Sequence, residues 1–207
     1  MNVISKIISI VFHPLLLATY LVALLGWLYP VAILPVQASS VKNLTVLIFI
    51  STFCLPTVNV YFFKSFGTIS SFKMPLRKER IWPFFMILLL YILVTWLLYV
   101  KTGLQWGDNL FRFILVTDAL VLVSFVLTLR WKVSIHSLAA TAWVTIVGFT
   151  HALSGGNELM LLWLISIVVA GAIMSARLYL GAHTPREVYA GAAAGIVTAS
   201  VSMLILF

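Results

Sequence analysis

The sequence predicts an all-α, polytopic transmembrane helix bundle of about 6–7 spans, and three observations lead there. Of the 207 residues, 63% are hydrophobic and 9% are charged, whereas charged residues make up about a quarter of a typical globular chain. That much apolar surface needs the bilayer as its solvent. Seven apolar segments each approach the roughly 20 residues that a membrane-crossing helix requires. The connections between them are too short to hide a soluble domain, so residues 1–207 read as a single integral-membrane domain.

The first segment, about 7–29, follows Lys6 and contains His13 before Pro14, which marks a bend or a headgroup contact. No small-residue cleavage pattern follows it closely, so it reads as a retained anchor and not a signal peptide. Residues 30–42, with Pro30, Pro35 and Ser39-Ser40, form a loop. The second segment, about 43–63, holds the chain's single cysteine, Cys54. One cysteine gives neither a disulfide framework nor a metal cluster. Residues 64–80 form the longest polar connection.

The third and fourth segments are about 81–100 and 109–129. Arg112 and Asp118 fall inside the fourth, where ionisable groups are costly. They read as an ion pair with one another or with a neighbouring helix. The last three segments are about 136–153, 158–176 and 188–207. His151 lies fifteen residues beyond His136, which at about 1.5 Å per residue puts it across the membrane. Trp27, Trp82, Trp96, Trp106 and Trp131 lie near segment ends and read as an aromatic belt.

The net charge is +8, but its cations cluster at the ends of oily segments. That arrangement suits anionic lipid or phosphate groups and argues against nucleic acid as a partner. Seven crossings place Lys6, Lys64, Lys73, Arg77, Lys78, Arg80, Arg130, Lys132, Arg177 and Arg186 on one side. Only Lys42 and Lys101 fall on the other. The positive-inside rule makes the crowded side cytoplasmic, as expected of a multi-pass protein of a bacterial inner (plasma) membrane.

Three polar clusters share that face: Lys73 to Arg80, Lys132 to Ser137, and Arg177 to Glu187. The chemistry that suits them is phosphoryl transfer through histidine. Such a site needs a nucleophilic imidazole, a carboxylate on its other nitrogen, and an acid for the leaving oxygen. It also needs fixed positive groups around the phosphate oxygens, a task for which the arginine fork is well shaped. The five acids are scattered, so no bound divalent metal and no cofactor is expected. Ser134 can N-cap the following helix, whose N–H groups then face an anion. Gly181 can end one helix and Thr184-Pro185 begin the next. Arg177 and His183 are six apart, so a break at Gly181 is needed if both are to touch one ligand.

These residues resemble the motifs of the type-2 phosphatidic acid phosphatase superfamily, the lipid phosphate phosphatases. Arg177, His183 and Glu187 keep the spacing of the family's third motif, Ser-Arg, five residues, His, three residues, Asp. Val133-Ser134-Ile135-His136 keeps the serine and histidine of the second, Pro-Ser-Gly-His. Lys73 and Arg80 keep the gap of the first, Lys, six residues, Arg-Pro, with Pro83 two places late. Glu187 stands where the family has Asp, Ile135 where it has Gly, and the second motif's proline is missing. The resemblance implies His183 as the nucleophile that forms a phosphohistidine, Glu187 as its orienting carboxylate, and His136 as general acid. It further implies that Lys73, Arg80, Ser134 and Arg177 hold the phosphate, with Lys132, Arg77 and the backbone at Ile135 as additional contacts. The phosphatase-like core then lies in about 64–207.

The function implied is a metal-independent, membrane-embedded phosphatase acting on a lipid phosphate monoester or diphosphate. Its partners are that phosphorylated lipid and the bilayer; nothing in the sequence sets an oligomeric state. The alternative is a catalytically inactive lipid-phosphate binding or transport protein that keeps the pocket, a reading that the Ile135 and Glu187 replacements motivate. Plainer structural roles stand beside these. Thr184 and Glu187 also form a capping box, the 64–80 cations could bind headgroups, and Lys132 could snorkel at a helix end.

Overall fold

A computed structural model describes residues 2–72, 74 and 76–207. Among the described residues there are nine α-helices and no strand. They are α1 (Asn2–Val11), α2 (Leu17–Leu28), α3 (Val41–Phe49), α4 (Leu55–Ser65), α5 (Arg77–Thr102), α6 (Asn109–Arg130), α7 (Ile135–Ser154), α8 (Met160–Tyr179) and α9 (Pro185–Leu206). Seven helical stretches are long and apolar enough to cross a membrane, and they match the seven segments read from the sequence. Two are interrupted. α1 and α2 are joined through a 3-10 turn at Pro14–Leu16, where His13 Nδ1 accepts from Leu15 N at 3.3 Å. α3 and α4 are joined through a π turn, Ile50–Cys54, just before Pro56, whose missing N–H breaks the helical ladder.

The third span begins earlier than its hydropathy suggests. Arg77, Lys78, Glu79 and Arg80 form the first turn of α5 and are not part of a loop. The Glu79 carboxylate accepts from the backbone N–H groups of Ser70 at 2.8 Å and Leu76 at 3.4 Å, which caps that turn. Charge hides a helix start from a hydropathy scan, but it does not prevent one. Arg77 donates to the carbonyls of Thr128, at 3.2 Å, and Leu129 at the end of α6, bringing the start of α5 to that membrane face.

The core is built where α9 lies along α7. A Cβ added at Gly191 would collide with the backbone of Ser134, and one at Gly195 with Leu138 O and Thr141 Oγ1. Only hydrogen fits there, so the two backbones touch, as small residues four apart permit. Thr141 Oγ1 donates across the seam to Ala192 O at 2.9 Å. Leu25, Val116, Ile146 and Met203 join α2, α6, α7 and α9 in one buried cluster, and α1 packs along α8.

The expected Arg112–Asp118 ion pair does not form. Asp118 accepts from Thr95 Oγ1 of α5 at 2.7 Å, while the Arg112 guanidinium lies 5.4 Å from the Phe207 ring centroid. Six residues on one α-helix set two side chains about 120° apart, so each finds a different neighbour.

Candidate active site

Gly181, at φ +60°, ends the α8 segment after Arg177, and Thr184 with Pro185 opens α9. The break required between Arg177 and His183 is therefore present. Thr184 Oγ1 accepts from Glu187 N at 3.4 Å, and Glu187 Oε2 accepts from Thr184 N at 3.3 Å. The same Oε2 accepts from His183 Nδ1 at 2.7 Å. Cap and histidine partner are thus one carboxylate, and neither reading displaces the other. A carboxylate can only accept, so Nδ1 carries the proton and the Nε2 lone pair is left free.

The start of α7 meets this turn directly. Ser134 N donates to Glu187 O at 3.0 Å, and Ser134 Oγ accepts from Ser137 N at 3.3 Å and from Ser137 Oγ at 2.9 Å. Ser134 is fully buried and serves as the N-cap of α7. Gly191, one turn further along α9, holds this contact close because its missing side chain lets the Ser134 backbone in.

His136 faces the first span. Its Nε2 donates to Ser9 O at 3.0 Å, and its ring lies edge-on to His13, with centroids 5.5 Å apart. Arg177 Nη1 donates to Ser9 Oγ at 3.4 Å, so Ser9 binds both His136 and Arg177. The Arg177 Nε–H is buried and has no acceptor among the described residues. Arg80 is buried from the start of α5, and its Nε donates to Met74 O at 2.9 Å.

The structure therefore pairs His183 with Glu187 and sets Arg80 and Arg177 near enough for their charges to act on His183. His136 joins them through Ser9. Lys132 is half-buried in the short connection before Ser134 and makes no hydrogen bond or ion pair among the described residues. Lys73 lies outside the described residues. Sequence reasoning missed Ser9, a single serine in an oily helix, and gave His13 no link to His136. It also missed the Gly191 and Gly195 seam, although small residues four apart were there to be read.

The site is electropositive around one carboxylate. The His183 pKa is held below its ordinary 6.5, chiefly by burial; the Glu187 hydrogen bond opposes this, and the nearby charges of Arg177 and Arg80 reinforce it. That shift favours the uncharged ring at neutral pH, the form whose Nε2 carries a lone pair. Among the described residues, no group of three or more His, Cys, Asp or Glu side chains is placed to hold a metal ion.

The model of the PAP2 superfamily matches residues 122–207, in agreement with the resemblance to type-2 phosphatidic acid phosphatases read in the sequence. No curated protein and no solved structure matches the chain. The match takes in Lys132, Ser134, His136, Arg177, His183 and Glu187, and leaves out α1 and α5 with Ser9, His13 and Arg80. The matched range covers the end of α6 together with α7, α8 and α9, and over that range the chain is similar to the PAP2 superfamily.

Proposed function

We propose that the protein is a metal-independent phosphatase acting on a lipid phosphate monoester or diphosphate at the membrane surface. The match to the PAP2 superfamily supports phosphatase chemistry on phosphate esters. The single observation that carries the reading is His183, buried, with Nδ1 tied to Glu187, Nε2 free of hydrogen bonds among the described residues, and the charges of Arg80 and Arg177 acting on the ring.

In the first step His183 Nε2 attacks phosphorus and forms the P–N bond. The bond from phosphorus to the leaving oxygen breaks, and that oxygen takes a proton from His136, which must enter the step as the imidazolium and leaves it neutral. Glu187 stabilises the positive charge that develops on His183. Arg80 and Arg177 hold the equatorial oxygens, and the unpartnered Arg177 Nε–H supplies one ready donor. The N-terminal turn of α7 behind Ser134, together with Lys73 and Lys132, adds positive potential. In the second step water attacks phosphorus, returns a proton to His136 and breaks the P–N bond. Inorganic phosphate and neutral His183 result. The excess of cations fits the cytoplasmic face of a bacterial inner membrane.

One observation favours the rival, a binder without turnover. His136 Nε2 is already occupied by Ser9 O, so leaving-group protonation requires that contact to be exchanged. Purified protein given a panel of lipid phosphates with chelator present decides between them. Release of inorganic phosphate that is abolished by His183→Ala supports the phosphatase. Binding without release, in the wild-type protein, supports the rival.

A further inference from the structure

On α1, Ser9 is buried while Val3, Ile4, Ile7 and Ile10 are more than half exposed. A hydroxyl in a membrane helix ordinarily satisfies itself on the carbonyl three or four residues back. Thr45, Ser51, Ser124, Thr128 and Thr150 all bond four residues back in this way. Ser9 makes no such bond among the described residues. Its Oγ instead accepts from Arg177 Nη1 at 3.4 Å.

The Ser9 carbonyl is free of its helix as well. Ser9 lies in the last turn of α1, where the final four carbonyls have no partner within the helix. The chain leaves the helix at Phe12, two residues before Pro14, and no backbone N–H among the described residues returns to Ser9 O. His136 Nε2 of α7 donates to that oxygen at 3.0 Å. Both polar atoms of Ser9 thus serve the site and not their own helix. Among the described residues, Ser9 Oγ is the sole hydrogen-bond partner of the Arg177 guanidinium, and Ser9 O is the sole partner of the His136 ring.

We propose that Ser9 is a positioning residue for phosphoryl transfer: its hydroxyl fixes the Arg177 fork, and its carbonyl holds the His136 ring until a leaving group arrives. The hydroxyl contact takes up one guanidinium nitrogen and leaves the buried Nε–H of Arg177 to meet phosphate. An arginine already held at one corner loses less freedom when it binds, so the phosphate oxygens meet a fork that is set in advance. This rests on the phosphatase reading above. It gives α1, which lies outside the family match, a working part in the reaction.

Ser9→Ala tests the hydroxyl alone, because alanine keeps the carbonyl and favours the helix. Arg177→Met keeps an apolar stem and has nothing to donate to Ser9. Phosphate release from hexadecyl phosphate is measured for the wild type, both single variants and the double variant. Ser9→Ala is expected to lower kcat/KM about tenfold, the lower end for a hydrogen bond to a charged group. In the Arg177→Met background the same change is expected to cost less than about twofold. A loss under about twofold in the wild-type background would overturn the proposal. An equal loss in both backgrounds would overturn it too, as the mark of a serine that only supports helix packing. Wild-type protein that releases no phosphate would sink the phosphatase reading instead, and the same cycle is then read on inorganic phosphate binding by titration calorimetry. There, a weakening of about tenfold that vanishes with Arg177→Met supports the proposal, and an unchanged or additive affinity overturns it.

Discussion

Replacing Gly191 with alanine tests how the site is held together. The added methyl would meet the carbonyl oxygen, carbonyl carbon and nitrogen of Ser134, all of them backbone atoms. Backbone cannot turn aside as a side chain can, so α9 must move off α7. Overpacking of this kind costs about 1–3 kcal/mol. Gly171→Ala is the matched control, because a Cβ there meets nothing within 4 Å. Both variants share the helix-propensity gain of about 1 kcal/mol, so their difference isolates the clash. At about 2–4 °C per kcal/mol for a chain of this size, Gly191→Ala should melt about 2–12 °C below Gly171→Ala. The displaced turn also carries Glu187 and His183 relative to Ser134, and a misplacement of about 1 Å can cost a factor of about 10² in rate. Thermal melts in detergent and phosphate-release rates on the two purified variants are the assay. Equal melting temperatures and equal rates would refute the claim that this seam positions the site.

Three further outcomes follow from the same geometry. Because burial and the two arginines lower the His183 pKa from its ordinary value, the acid limb of the pH–rate profile should have its midpoint under 6.5. Glu187→Gln removes the contributions that raise it and should move that midpoint lower while cutting kcat; an unmoved acid limb in a pH–rate profile would contradict the pairing. Arg177→Lys keeps a charge but loses the fork that reaches both Ser9 and a phosphate, and should cost about 10²-fold in kcat/KM; a change under threefold would count against Arg177 as a phosphate ligand. Asp118→Asn keeps an acceptor for Thr95, lies away from the phosphate cluster, and should leave phosphate release and melting temperature unchanged; a lost activity would place Asp118 in the mechanism.

The spans were legible because the bilayer imposes a demand on composition, and a run of apolar residues answers it wherever the chain goes next. The turn at Arg177 to Glu187 was legible for a local reason: spacing, cap and break all lie within eleven residues. What composition could not reveal was contact between distant segments. Ser9 gives no signal of its own, yet it binds both His136 and Arg177 across more than a hundred residues of chain. Arg112 and Asp118 misled because sharing a span does not mean sharing a face. The start of α5 misled because its four charged residues look like a loop, although the Glu79 carboxylate caps them into a helix.

The most direct test of the account is the covalent intermediate. Wild-type protein mixed with a 32P-labelled lipid phosphate and quenched in base should carry label on His183, at the nitrogen that Glu187 leaves free, and His183→Ala should carry none. Label found on another residue, or phosphate release by His183→Ala at the wild-type rate, would contradict it.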